Sequence, residues 1–104
     1  MKNLILDIQK HKKFNNDNPQ KETLWTGDTS RLTLISLRPG QEITPHIHKG
    51  DHIWIVLEGG GDFLSTEKES KVIGEGNIVI VPAGGEHGIR NTTEGDLVFA
   101  SITA

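Results

Sequence analysis

The run Ile53-Trp54-Ile55-Val56-Leu57, entered from His52 and left through Glu58, restricts the fold of this chain more than any other segment. Its residues are β-branched, aromatic or leucine, a composition that favours an extended strand. Side chains of a strand point alternately to opposite faces, so both faces of this one are apolar. A hairpin with one face in water would not tolerate it. One face requires a packed interior, and the other requires a crossing strand or a second copy of the chain. A sheet closed on itself, with another subunit against its outside in a homodimer, meets both needs.

Similar short segments recur along the chain, at residues 4–8, 22–26, 31–37, 43–48, 52–57, 62–66, 70–73, 77–81, 88–91 and 97–103. They are punctuated by glycines at 59–61, 74, 76, 84, 85 and 95. The pattern is all-β. Residues 10–20 are polar and close on Asn15-Asn16-Asp17-Asn18-Pro19, which reads as a surface loop. At 104 residues the chain is too short for two ordinary cores, and it has no repeat or low-complexity linker, so residues 1–104 read as a single domain. Aromatic residues are only 5% of the chain, so the core must be built from Leu, Ile and Val.

Several functions are excluded by what the chain lacks. It has no cysteine, which removes disulfides, thiolate ligands and cysteine nucleophiles and leaves nitrogen and oxygen as the metal donors. Its net charge is −3, and Lys10, Lys12 and Lys13 form a short basic stretch without interleaved aromatics, so no nucleic-acid partner is expected. Leu4-Ile5-Leu6 is too short for a signal-peptide core, and no apolar stretch approaches the length of a membrane span. A soluble, cytoplasmic protein without a membrane partner is expected.

Four of the five histidines fall in two short segments, His46, His48 and His52 in one and His87 in the other. In a strand, residues i and i+2 share a face and lie roughly 6.6 Å apart, so His46 and His48 can reach one point. Lys49-Gly50-Asp51 reads as a tight turn that returns His52 beside them, with Gly50 supplying the positive φ of a hairpin connection. Pro82-Ala83-Gly84-Gly85-Glu86 reads as a rigid turn delivering His87. A lone His-x-His pair is as readily two polar residues facing water. The two further histidines at turn-delimited positions favour a metal site, and His11 stays apart from it.

These residues resemble the two motifs of the cupin superfamily. Gly40, His46, His48 and Gly59 fit Gly-x5-His-x-His-x3-Glu-x6-Gly, with His52 standing where the family usually has Glu. Gly76, Pro82, Gly84, His87 and Asn91 meet Gly-x5-Pro-x-Gly-x2-His-x3-Asn in full. Motif 1 spans residues 40–59 and motif 2 spans 76–91. The resemblance implies a small jelly-roll β-barrel of six to eight strands, usually dimeric. It also implies one divalent transition metal per chain, held by His46, His48, His52 and His87. Imidazole in place of the carboxylate leaves the ion's charge uncompensated, so the site should attract anions. Nitrogen donors suit iron, copper, nickel or zinc, while some four-histidine cupins resemble manganese proteins.

Four protein ligands on a six-coordinate ion leave two adjacent positions, which suits a dioxygenase-like oxidoreductase acting on a small organic substrate. Four histidines on a tetrahedral zinc would instead close the shell. A non-catalytic metal- or small-ligand-binding module and a Lewis-acid isomerase or lyase fit the same residues. Strand alternation puts Trp54 on the His52 face, nearest the metal, where it lines the substrate pocket or fills the barrel. Trp25 and Phe99 are weaker candidates on the same terms. Asp51 and Glu86 adjoin ligands in sequence and so point away, and Glu58 fits a turn role. The triple glycine 59–61 has no following Lys-Ser/Thr and is not a phosphate loop.

Overall fold

The computed structural model describes residues 2–65 and 70–104. Among them one short helix, α1 (Ile8–His11), precedes nine strands. These are β1 (Gln20–Thr26), β2 (Arg31–Leu37), β3 (Glu42–Ile47), β4 (His52–Glu58), β5 (Gly60–Leu64), β6 (Lys71–Gly74), β7 (Ile78–Val81), β8 (Glu86–Arg90) and β9 (Leu97–Thr103). They form two antiparallel sheets, ordered β1-β2-β9-β4-β7 and β3-β8-β5-β6, the architecture of a jelly-roll barrel. Nine strands exceed the expected six to eight because Gly59 (φ 73°) and Gly76 (φ 87°) break the path between β4 and β5 and between β6 and β7. The expected strand end at Thr66 lies outside the described residues.

Residues 4–7 are not a strand. The carboxylate of Asp7 accepts from the Gln9 backbone N–H at 3.0 Å and caps α1 instead. Leu4, Leu6 and Ile8 lie along an apolar groove with Leu24, Leu32 and Leu34, on the outer face of the five-stranded sheet. The apolar character of this segment thus serves packing rather than a ladder.

The core comes from the inward positions of both sheets. Ile35 and Leu37 of β2, Trp54 and Val56 of β4, and Leu97 and Phe99 of β9 meet Ile43, Ile73 and Ile89 of the smaller sheet. Full burial of each such side chain contributes about 1.5–3 kcal/mol. The outward positions of β4 and β7 are also apolar. Ile53 pairs with Ile80 and Ile55 with Ile78, and Ile78 and Ile80 are exposed. Both faces of the β4 run are therefore as apolar in three dimensions as in one, but this chain's described residues enclose only the inner one.

Candidate metal centre

Four histidine rings meet at one end of the barrel, and strand register puts them there. Ile43 faces the core, so simple alternation would turn His46 outward. One extra residue on β3 between Ile43 and His46 reverses the parity. Pro45, which has no N–H for the ladder, occupies the irregular stretch. His46 then stands directly opposite His87 of β8, while Ile47 turns outward. His48 follows two residues on, and His52 enters from β4 in the other sheet. The link between β3 and β4 thus crosses between sheets and is no hairpin. Gly50 does not have the positive φ expected of it. A Cβ there would lie 1.8 Å from the Ala104 carbonyl oxygen, so close approach of the chain's last residue is what requires glycine.

The rings of His46 and His48 lie 4.6 Å apart, His46 and His87 4.4 Å, His48 and His52 4.2 Å, and His52 and His87 4.5 Å. His46, His48 and His87 bring donor nitrogens within 4.8 Å of one another. Each donor can then lie within about 2.8 Å of a common centre, so less than about 1 Å of closure reaches the 2.0–2.1 Å of a metal–imidazole bond. His52 stands outside this three-donor group but in ring contact with two of its members.

The hydrogen bonds agree with a metal. Nδ1 of His46 donates to the Thr44 carbonyl at 2.9 Å, and Nδ1 of His87 donates to the Gly85 carbonyl at 3.1 Å. A carbonyl can only accept, so each Nδ1 carries the proton and each Nε2 keeps a lone pair, the arrangement that orients a metal ligand. His87 Nε2 and His52 Nδ1 are buried with no partner. Uncompensated buried polar nitrogens cost free energy unless something else satisfies them, and a metal ion is what a ring of imidazoles without a carboxylate can hold. The residues present fit the group.

The electrostatics disfavour protonation of His48, His52 and His87. Burial, then His48, His87 and His46, and then Arg31 push His52 down to about 4. Burial followed by His46, Lys21 and Arg31 lowers His48. His87 is lowered mainly by burial, against the opposing bond to Gly85. Neutral imidazole is the metal-binding form.

A cavity of about 100 Å³ opens beside the rings. His46, His48, His52 and Trp54 form one part of its wall, and Ile35, Ile43 and Thr33 form another. Lys21, Arg31, Ser101 and Thr103 complete it. Trp54 stands edge-on to His87 at 5.4 Å, as its position in β4 predicts. Trp25 and Phe99 do not line this cavity. The β1 register shifts between Thr23 and Trp25, so Trp25 leaves the Lys21 face and pairs with Leu32 on the outside, 44% exposed. Phe99 faces inward but lies deeper, opposite Val56, and packs under Trp54 at 4.8 Å. Lys21 and Arg31 are the charged residues among the wall positions that sequence reasoning missed. Arg31 shares the inward parity of Thr33 and Ile35 on β2, and that was the available signal.

The supporting residues tie the two motif loops together. Asn91 is fully buried and donates to the Leu37 and Gly95 carbonyls at 3.0 and 2.8 Å while accepting from the Thr93 N–H and hydroxyl. Asp51 Oδ1 accepts from the Ala83 N–H at 2.9 Å, and the His48 carbonyl accepts from the Gly84 N–H at 3.0 Å. Glu58 binds Lys12 Nζ at 2.6 Å, away from the rings.

A double-sheet β-barrel with a histidine cluster at one end is the class of protein this fold and site define. The chain belongs to the cupin domain family, whose model matches residues 33–103. It is 28% identical over 109 residues to uncharacterized protein YrkC of Bacillus subtilis, covering 99% of this chain and 58% of that one. It is 34% identical over 67 residues to a vicilin-like seed storage protein of Arabidopsis thaliana, covering 62% of this chain and 14% of that one. The chain thus spans only part of the length of both relatives. In fold it is similar to a conserved protein with a double-stranded β-helix domain from Klebsiella pneumoniae. The TM-score is 0.92 at 24% identity, covering 99% of this chain and 90% of that one.

Proposed function

We propose that the chain binds one divalent transition metal through His46, His48, His87 and His52 and uses it as a dioxygenase-like oxidoreductase on a small organic molecule. The observation that carries this is the pair of buried, partnerless nitrogens, His87 Nε2 and His52 Nδ1, inside a ring of four imidazoles. A redox-active ion bound there would supply electrons for oxygen chemistry and a point of attachment for the substrate. The chain's own residues do the rest. Thr44 and Gly85 carbonyls hold the His46 and His87 rings in one tautomer, and Trp54, seated on Phe99, closes the floor against water. An isomerase or lyase requires a positioned acid or base, and among the described residues Lys21 is the side chain of the cavity wall outside the histidines that could serve as one.

The same proposal includes a homodimer in the cytoplasm. The dimer is supported by the outward apolar array Ile53, Ile55, Ile78 and Ile80 at the β7 end of the larger sheet.

The test is metal content by plasma mass spectrometry on untagged protein beside His48→Ala, followed by oxygen uptake with candidate substrates. Near-stoichiometric iron, copper or manganese that falls at least about 100-fold in the variant, beyond what loss of an outer partner costs, supports the reading. No metal after reconstitution defeats it, and metal without oxygen uptake reduces it to a binding module.

A further inference from the structure

Among the described residues, the wall of the cavity carries cations and hydrogen-bond donors but no carboxylate. Lys21 and Arg31 both line it. Among the described residues neither is paired with an acidic side chain, unlike Arg38 with Asp96 and Arg90 with Glu42. Their placement follows from register. Lys21 lies opposite Ile35, and Arg31 lies opposite Thr103, so both share the inward face of the larger sheet with Thr33 and Ser101. Both side chains are exposed beside the histidine rings, where an entering ligand can reach them.

Trp54 lines the cavity and is 3% exposed. Two cations and the hydroxyls of Thr33, Ser101 and Thr103 call for an acceptor-rich, negatively charged group. Arg is the side chain best shaped for a planar carboxylate, which it holds through two parallel hydrogen bonds. The cavity is small, about 100 Å³, which favours a short acid over an extended one. Ile35 and Ile43 offer its carbon skeleton an apolar wall.

We infer that the cavity selects a short-chain organic acid, whose carboxylate is held by Arg31 with Lys21 beside it, and that these two residues set its specificity. This deepens the metal-centre reading and rests on it for the ligand's second anchor. The carboxylate anchor itself belongs to this chain's side chains alone.

The experiment follows the two indole N–H signals in 15N-labelled protein, assigned with Trp25→Phe, as pyruvate is added at physiological salt. It is run on EDTA-treated and on Zn2+-loaded samples, beside pyruvamide, the neutral amide of the same shape. A saturable shift of the Trp54 signal is expected with pyruvate and not with pyruvamide. Arg31→Gln should raise the half-saturation concentration at least tenfold, about 1.4 kcal/mol, and Lys21→Gln should raise it less. Equal response to acid and amide, an unchanged response in Arg31→Gln, or no saturable shift in either sample overturns the proposal. Protein that takes no Zn2+ yet shows an Arg31-dependent shift keeps this inference and defeats the metal reading. Protein that takes Zn2+ through the histidines but ignores pyruvate does the reverse.

Discussion

His46 stands directly opposite His87 across the β3–β8 ladder, with ring centroids 4.4 Å apart, and each donates Nδ1–H to the carbonyl of the residue two places before it. Two strands from distant parts of the sequence therefore present imidazoles of the same tautomer toward one centre. Such preorganisation is what a metal site needs, because the ligand rings need not be reoriented when the ion arrives.

Metal-free protein should lose stability as pH falls from about 6.5 towards 4. The His52 pKa is lowered from its ordinary 6.5 to about 4 by burial and its neighbouring histidines. Between those values the unfolded chain binds a proton that the folded chain refuses, so unfolding becomes easier with acid, and below about 4 this contribution no longer changes. His48 and His87 are lowered too and act with the same sign. Urea unfolding at several pH values, compared between the natural chain and His52→Gln, isolates the effect. The variant should show a shallower decline across this window, and identical slopes would contradict it.

Phe99→Ala should destabilise the fold by about 3–5 kcal/mol, because the ring is fully buried beneath Trp54 and leaves a cavity. Trp25→Ala, on the outer face, should cost less than about 1 kcal/mol. Both are read as midpoint shifts in urea, and comparable losses would place Trp25 in the interior after all.

Ile80→Lys should convert the proposed dimer into a monomer with an unaltered circular dichroism spectrum. Ile80 is 69% exposed on the outer face of the strand at one end of the larger sheet, and a lysine there would bring two like charges together across a twofold interface. Light scattering on both proteins decides it. A monomeric natural chain, or a variant still dimeric, would move the interface elsewhere or abolish it.

The all-β class, the ladders at residues 31–37 and 97–103, and the pairing of two histidine segments could be read from the chain itself, because alternation and glycine punctuation are local properties. Two consequences of that alternation were not local. The extra residue before His46 turns its ring inward, and the shift after Thr23 turns Trp25 outward. A bulge is selected by the partner strand, so neither shows as a break in the pattern. The strand character of residues 4–8 was equally genuine as hydrophobicity, yet these residues have no ladder to join and lie instead against the outside of the sheet.

What the sequence by itself determined is the chemistry available: nitrogen donors without thiolates, His52 in place of a carboxylate, and an apolar strand carrying that histidine on its end. What only the tertiary structure decided is which groups share the cavity. Lys21 and Arg31 join the imidazoles while Trp25 is turned outward by the shift after Thr23 and Phe99 lies below them, because inward parity says that a residue faces the interior but not at what depth. Depth is set by the register between strands far apart in the chain, and register arises only when the two sheets close on each other.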